Sequence, residues 1–159
     1  MATPAKDIVP IDAKTVTLDI DGMRVLVMDS VSFADAADAG HVIVTGSHGG
    51  ISAGEYAAGV RPSLAVCNDA GIGKNGAGIA GMKALDARGI PALAVAHTSA
   101  RIGDGMDVWS SGVVSYVNPS AAAAGFAVGD GLCETIEACL RDPDRRRALV
   151  AAGREVASC

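Results

Sequence analysis

The chain has almost no aromatic residues: one Trp, two Tyr and two Phe, 3% of 159 residues. A core without large rings must be filled by small aliphatic side chains and glycine, so its elements are expected to approach closely. Basic charge is also scarce. There are 13 Lys and Arg against 18 Asp and Glu, for a net charge of −5. Nucleic-acid binding needs a basic footprint, so no nucleic-acid partner is expected. The one dense basic cluster, Arg141, Arg145, Arg146 and Arg147, alternates with Asp142 and Asp144 and reads as a solvated helix start. No run approaches the roughly 18 apolar residues of a membrane span, so no membrane partner is expected. No positively charged segment leads into an apolar stretch near the N-terminus, so a secretory signal is not expected either. Cys67, Cys133, Cys139 and Cys159 share no metal-type spacing, and such scattered thiols fit a reducing cytoplasm.

Half of the residues are hydrophobic and 20 are glycine, in a length that suits one domain. Residues 1–13 hold two prolines and no period, and read as a mobile arm before a single domain over 14–159. A chain this apolar is expected to hide surface in a homo-oligomer.

Residues 15–20 alternate like an edge strand, Asp21-Gly22 reads as a two-residue hairpin turn, and 23–28 returns as a buried strand. Strand and helix then alternate. A short helix is predicted over 32–39, closed by Gly40. Ser52 with Glu55 matches a capping box for the next helix. A helix over 77–88 would bury Ile79, Met82 and Leu85. A last strand is predicted over 112–117, followed by an alanine-rich helix from Ser120. Asp130 is the predicted cap of the next helix, and Asp142-Pro143 opens the final one. The expected fold is a single-domain α/β three-layer sandwich. Its sheet would be mainly parallel, Rossmann-like and doubly wound, with an N-terminal antiparallel hairpin at one edge.

Three predicted strands end in glycine-rich polar loops: Gly46-Ser47-His48-Gly49-Gly50, then 68–76 (NDAGIGKNG), then 97–105 (HTSARIGDG). In an open parallel sheet such loops share one edge, where ligands bind. Gly71-Ile72-Gly73-Lys74-Asn75-Gly76 has the spacing of a dinucleotide fingerprint. Its context fails, because it does not follow the first strand and no carboxylate ends the next one. A phosphate loop fails too, since Asn68 and Asn75 stand where a glycine and a hydroxyl belong. The loop reads instead as an anion cradle, with Gly71 and Gly73 amides, Lys74, Asn75 and a forked contact from Arg101.

His48 and His97 fall at the same predicted edge and have the residue type for acid and base work near neutral pH. Asp69 and Asp104 are the candidates to orient them; Asp107 reads as part of a turn. Ser47, Gly49 and Ser99 complete the expected substrate contacts. His41, at a strand start, reads as structural, and Cys67 as a buried small residue. The leading expectation is a cytoplasmic enzyme for a small carboxylate or phosphate metabolite. It would use metal-independent general acid–base chemistry of the isomerase or lyase type, without a cofactor. The alternative is a non-catalytic nucleotide- or metabolite-binding regulatory domain. A hydrolase using Ser47 or Ser99 comes third, weakened by the lack of a G-x-S-x-G elbow. A metal held by His48, His97 and Asp69 or Asp104 lacks the usual paired spacing.

Overall fold

The computed structural model describes the backbone of residues 14–157 and the side chains of residues 14–151. The arm expected over 1–13 and Cys159 lie outside the described residues. Strands β1 (Lys14–Ile20) and β2 (Met23–Met28) form an antiparallel hairpin. Its turn residues Asp21 and Gly22 have φ of 49° and 87°, the left-handed pair that matches strand twist. Next come β3 (Val42–His48), α1 (Ile51–Val60), β4 (Leu64–Asn68), α2 (Ala80–Asp86), β5 (Ala92–Val95) and α3 (Gly105–Ser111). β6 (Val114–Val117), α4 (Pro119–Ala122), α5 (Leu132–Arg141) and α6 (Pro143–Ala157) follow.

Among the described residues, six strands lie in sequential order. β2 to β5 run parallel, while β1 and β6 are antiparallel to their neighbours. The fold is therefore an α/β sandwich around a mixed sheet. The doubly wound, Rossmann-like arrangement expected from the sequence is corrected, because the strand order never reverses. Crossovers of one hand that keep stepping in one direction place their helices on one face. Accordingly α1, α2 and the turn at Val31 pack on Leu26, Met28, Ile43, Ala65, Cys67, Ala92 and Ala94. The alternate residues Val25, Val27, Val42, Val44, Leu64, Val66, Leu93 and Val95 face the other way. That second face is covered by Val108 of α3, Ala121 of α4, Leu132 and Ile136 of α5, and Leu149 of α6. Two covered faces explain why the central strands read as unbroken apolar runs.

Local chemistry shifted several expected elements. The helix expected over 32–39 is two 3₁₀ turns, Val31–Phe33 and Ala36–Asp38. Ser30 and Asp35 each accept from the amide two residues on, which competes with helix propagation. The helix expected from 77 starts at Ala80. Before it, the 3₁₀ segment Lys74–Ile79 is broken by Asn75 and Gly76 at φ of 58° and 72°. The caps of α1 and α5 are Gly50 and Gly131, not Ser52 and Asp130. Asp130 instead accepts from the Ala127 amide. Asp142 does cap α6, accepting from Asp144 and Arg145 amides.

The close approach expected of a core poor in aromatics occurs between α1 and α2. A β-carbon on Gly54 would lie 2.6 Å from Gly81 Cα, and one on Gly81 would overlap the Gly50 carbonyl oxygen. The arginine cluster is not simply solvated. Arg145 sits 5.0 Å over the Phe126 ring and donates to Ala124 O, while Arg146 donates to Ile20 O and Asp21 O at the hairpin turn.

Candidate active site

The ends of β3, β4 and β5 bring the three glycine loops to one edge of the sheet. Asn68, the last residue of β4, is fully buried. Its Nδ2 donates to Ala100 O at 2.9 Å and its Oδ1 accepts from Ala70 N at 2.8 Å, so it ties the second loop to the third. The third loop then runs back across the edge. Gly103 N donates to Gly46 O at 2.7 Å beside β3, and Gly105 N donates to Asp29 Oδ1 at 2.9 Å beside β2. Gly46 has to be glycine, because its missing β-carbon would lie 2.6 Å from the Gly103 carbonyl carbon.

Asp69 lies just beyond β4 with only 4% of its surface exposed. Its Oδ1 accepts from Gly71 N at 2.7 Å and His97 N at 3.0 Å, and its Oδ2 from Ser115 Oγ at 2.7 Å. Ser115 reaches it because of a register shift. Val95 pairs with Val114 and Ala94 with Tyr116, so Ser115 is the extra residue of a bulge. Bulges re-aim side chains in this way. Burial favours the neutral acid. The Ser115 hydroxyl, the Gly71 and His97 amides and the nearby imidazole outweigh it, and hold the Asp69 carboxyl below its usual range.

The His97 side chain is 55% exposed, with Nδ1 3.5 Å from Asp69 Oδ1 and the ring lying over Gly71. A half-exposed imidazole backed by a buried, hydrogen-bonded carboxylate is the arrangement of an oriented general base. His48 ends β3, is exposed, and accepts at Nδ1 from Gly50 N at 3.0 Å. β4 separates the two histidines: His48 pairs with Asn68, Asn68 with Val95, and His97 lies two residues beyond that strand end. His41 accepts at Nδ1 from Arg24 N, a structural contact.

The other candidates divide. Asp104 caps α3 through the Asp107 amide and stands 3.7 Å from Arg101, so its partners are on its own loop. Lys74 and Asn75 are exposed, and Arg101 is 78% exposed. The Gly71 amide is taken by Asp69 and the Gly73 amide donates to Gly71 O, so both serve the turn itself. Gly49 is buried, bonded through N to Asn68 O and through O to Gly81 N. Ser99 Oγ donates to Ala96 O and accepts from Val113 N. Ser47 Oγ accepts from Val31 N and retains its proton for another partner. Cys67 is buried, and burial pushes its thiol up to about 11 against a weaker opposing contact from Thr45.

Ser115 and Asp29 were not singled out by the sequence analysis, and Asn68 was noted only as a mismatch to a phosphate loop. The only signal for Ser115 was one polar residue inside an apolar strand. Among the described residues no group of three or more His, Cys, Asp or Glu side chains is placed to hold a metal ion. Nor is any helix among them long and apolar enough to cross a membrane. Comparison with known proteins found no matching family model, no matching curated protein and no matching solved structure.

Proposed function

We propose that the protein is an enzyme that moves protons on a small anionic metabolite at this sheet edge, as an isomerase or lyase. His97 is its principal proton-transfer group. The observation that carries this reading is the exposed His97 imidazole 3.5 Å from the buried Asp69 carboxylate. Asp69 is fixed by three hydrogen bonds from three segments, so it can orient the ring without moving. His48 adds a second imidazole on the far side of β4. Lys74 and Arg101 supply exposed positive charge on the second and third loops for a carboxylate or phosphate. The committed Gly71 and Gly73 amides speak for recognition by these side chains rather than by a backbone cradle. A homo-oligomer remains part of the proposal, and light scattering reads it directly.

The test uses a panel of small keto acids, hydroxy acids and sugar phosphates in deuterated water. Proton NMR follows loss of carbon-bound protons. General acid–base groups contribute on the order of 100-fold or more to rate. Exchange or elimination on at least one compound, reduced by about that factor in His97→Ala, is expected. Chemistry that persists in His97→Ala, or none on any compound, overturns the proposal.

A further inference from the structure

We infer that the two edge histidines carry their ring protons on opposite nitrogens, so that His97 is the base and His48 the neutral hydrogen-bond donor toward an enolisable carbonyl substrate. The ring assignment follows from the group that faces each Nδ1, an amide at His48 and a carboxylate at His97; its use in a reaction rests on the acid–base reading above.

The Gly50 amide has only a proton to offer, so His48 Nδ1 must present its lone pair to it at 3.0 Å. In the neutral ring the proton is then on Nε2, which faces away from that contact. Gly50 N is held there because it caps α1 while its carbonyl accepts from Gly54 N at 3.0 Å. His97 has the reverse environment. Its Nδ1 faces Asp69 Oδ1, an acceptor kept ionised by its other partners. A lone pair turned toward a carboxylate is repelled, so neutral His97 carries its proton on Nδ1 and offers the Nε2 lone pair outward. Ser115 and the Gly71 amide, by fixing Asp69, decide which nitrogen of His97 is basic.

A base and a neutral N–H donor at the strand ends on either side of β4 suit a small molecule with an acidic C–H beside a carbonyl. His97 Nε2 takes the proton from the carbon next to the carbonyl. The C–H electron pair forms the new C=C bond, and the carbonyl π pair moves to oxygen. There the His48 Nε2–H donates a hydrogen bond to the enolate. Return of the proton from His97 to the same carbon regenerates the carbonyl compound. Where that carbon also bears a hydroxyl whose proton passes to the former carbonyl oxygen, return to the neighbouring carbon gives the isomer, and neither route needs an oxidant or co-reactant.

Long-range proton–nitrogen NMR of the uniformly labelled protein near pH 9, above the ordinary imidazole range, reads the tautomers directly. The expected result is an Nδ1–H ring for His97 and an Nε2–H ring for His48. Asp69→Ala should remove the His97 preference and leave His48 unchanged. The wild-type spectrum decides the matter even if that variant folds poorly. The same tautomer at both residues overturns the assignment, and His97-dependent exchange would then leave the acid–base reading standing. Opposite tautomers with deuterium exchange only at carbons not next to a carbonyl overturn the substrate class.

Discussion

Replacing Asp69 by alanine should cost about 3 kcal/mol of stability. The carboxylate holds the Ser115 hydroxyl, the Gly71 amide and the His97 amide at 2.7, 2.7 and 3.0 Å. A hydrogen bond to a charged group contributes roughly 1.5–3 kcal/mol. The three share one acceptor and do not add fully. Gly71 and His97 are also exposed residues, so water can replace part of what they lose. For a chain of this length, about 3 kcal/mol lowers Tm by roughly 6–12 °C. Asp69→Asn is the sharper control. Its Oδ1 can still accept from both amides and its Nδ2 can meet the Ser115 hydroxyl, so about 1 kcal/mol should be lost. The pH profile then separates charge from shape. The folded Asp69 carboxyl lies below its usual range although burial opposes this, because Ser115, Gly71 and His97 favour the ionised form. Its contribution is therefore fully present above the unfolded value of about 4 and disappears as pH falls through the lower folded value. Chemical denaturation of both variants between neutral pH and about pH 3 measures this window. A Tm loss under about 2 °C for Asp69→Ala, or an acid limb in Asp69→Asn equal to that of the wild type, would refute the reasoning.

Lys14→Ala should destabilise by roughly 1–3 kcal/mol in denaturant titration, because it leaves the buried Asp38 without its 2.9 Å partner. Burial lowers the Lys14 pKa, but Asp38 and Asp35 together raise it above the usual value. Its contribution should accordingly hold below the ordinary lysine range and fade as pH rises through the folded value. Gly81→Ala forces a methyl into the Gly50 carbonyl, and should lower stability by about 1–3 kcal/mol or more as α1 and α2 separate. Cys67, with its thiol pushed up to about 11 by burial, should resist alkylation at pH 8 until the protein unfolds, as peptide mass mapping would show.

The central strands, the hairpin and the shared edge of the three loops were legible because they depend on local pattern. Asp21-Gly22 announces its turn, and the runs at 42–45, 64–67 and 92–95 are buried on both faces. The direction of β6 was not legible, because either direction satisfies the same apolar run. The bulge that aims Ser115 exists only once β5 and β6 pair. Asp69 and Asp104 look alike in sequence, each beside a glycine loop. They part because Asp69 follows a buried strand end, whereas Asp104 precedes a helix and caps it. Gly71 and Gly73 looked free to cradle an anion, yet the left-handed turn they permit uses their own amides. The Gly54–Gly81 contact was foreshadowed only in the scarcity of aromatic residues.

The most direct test of the central claim compares the rates at which diethyl pyrocarbonate modifies His97 and His48, resolved by peptide mass spectrometry. Both imidazoles are exposed, so access does not separate them, and the part of the His97 rate due to the Asp69 carboxylate is the part that Asp69→Asn removes. His97 is predicted to react several-fold faster than His48 in the wild type and to slow several-fold in Asp69→Asn. Equal rates in the wild type, or a His97 rate unchanged by Asp69→Asn, would contradict the account.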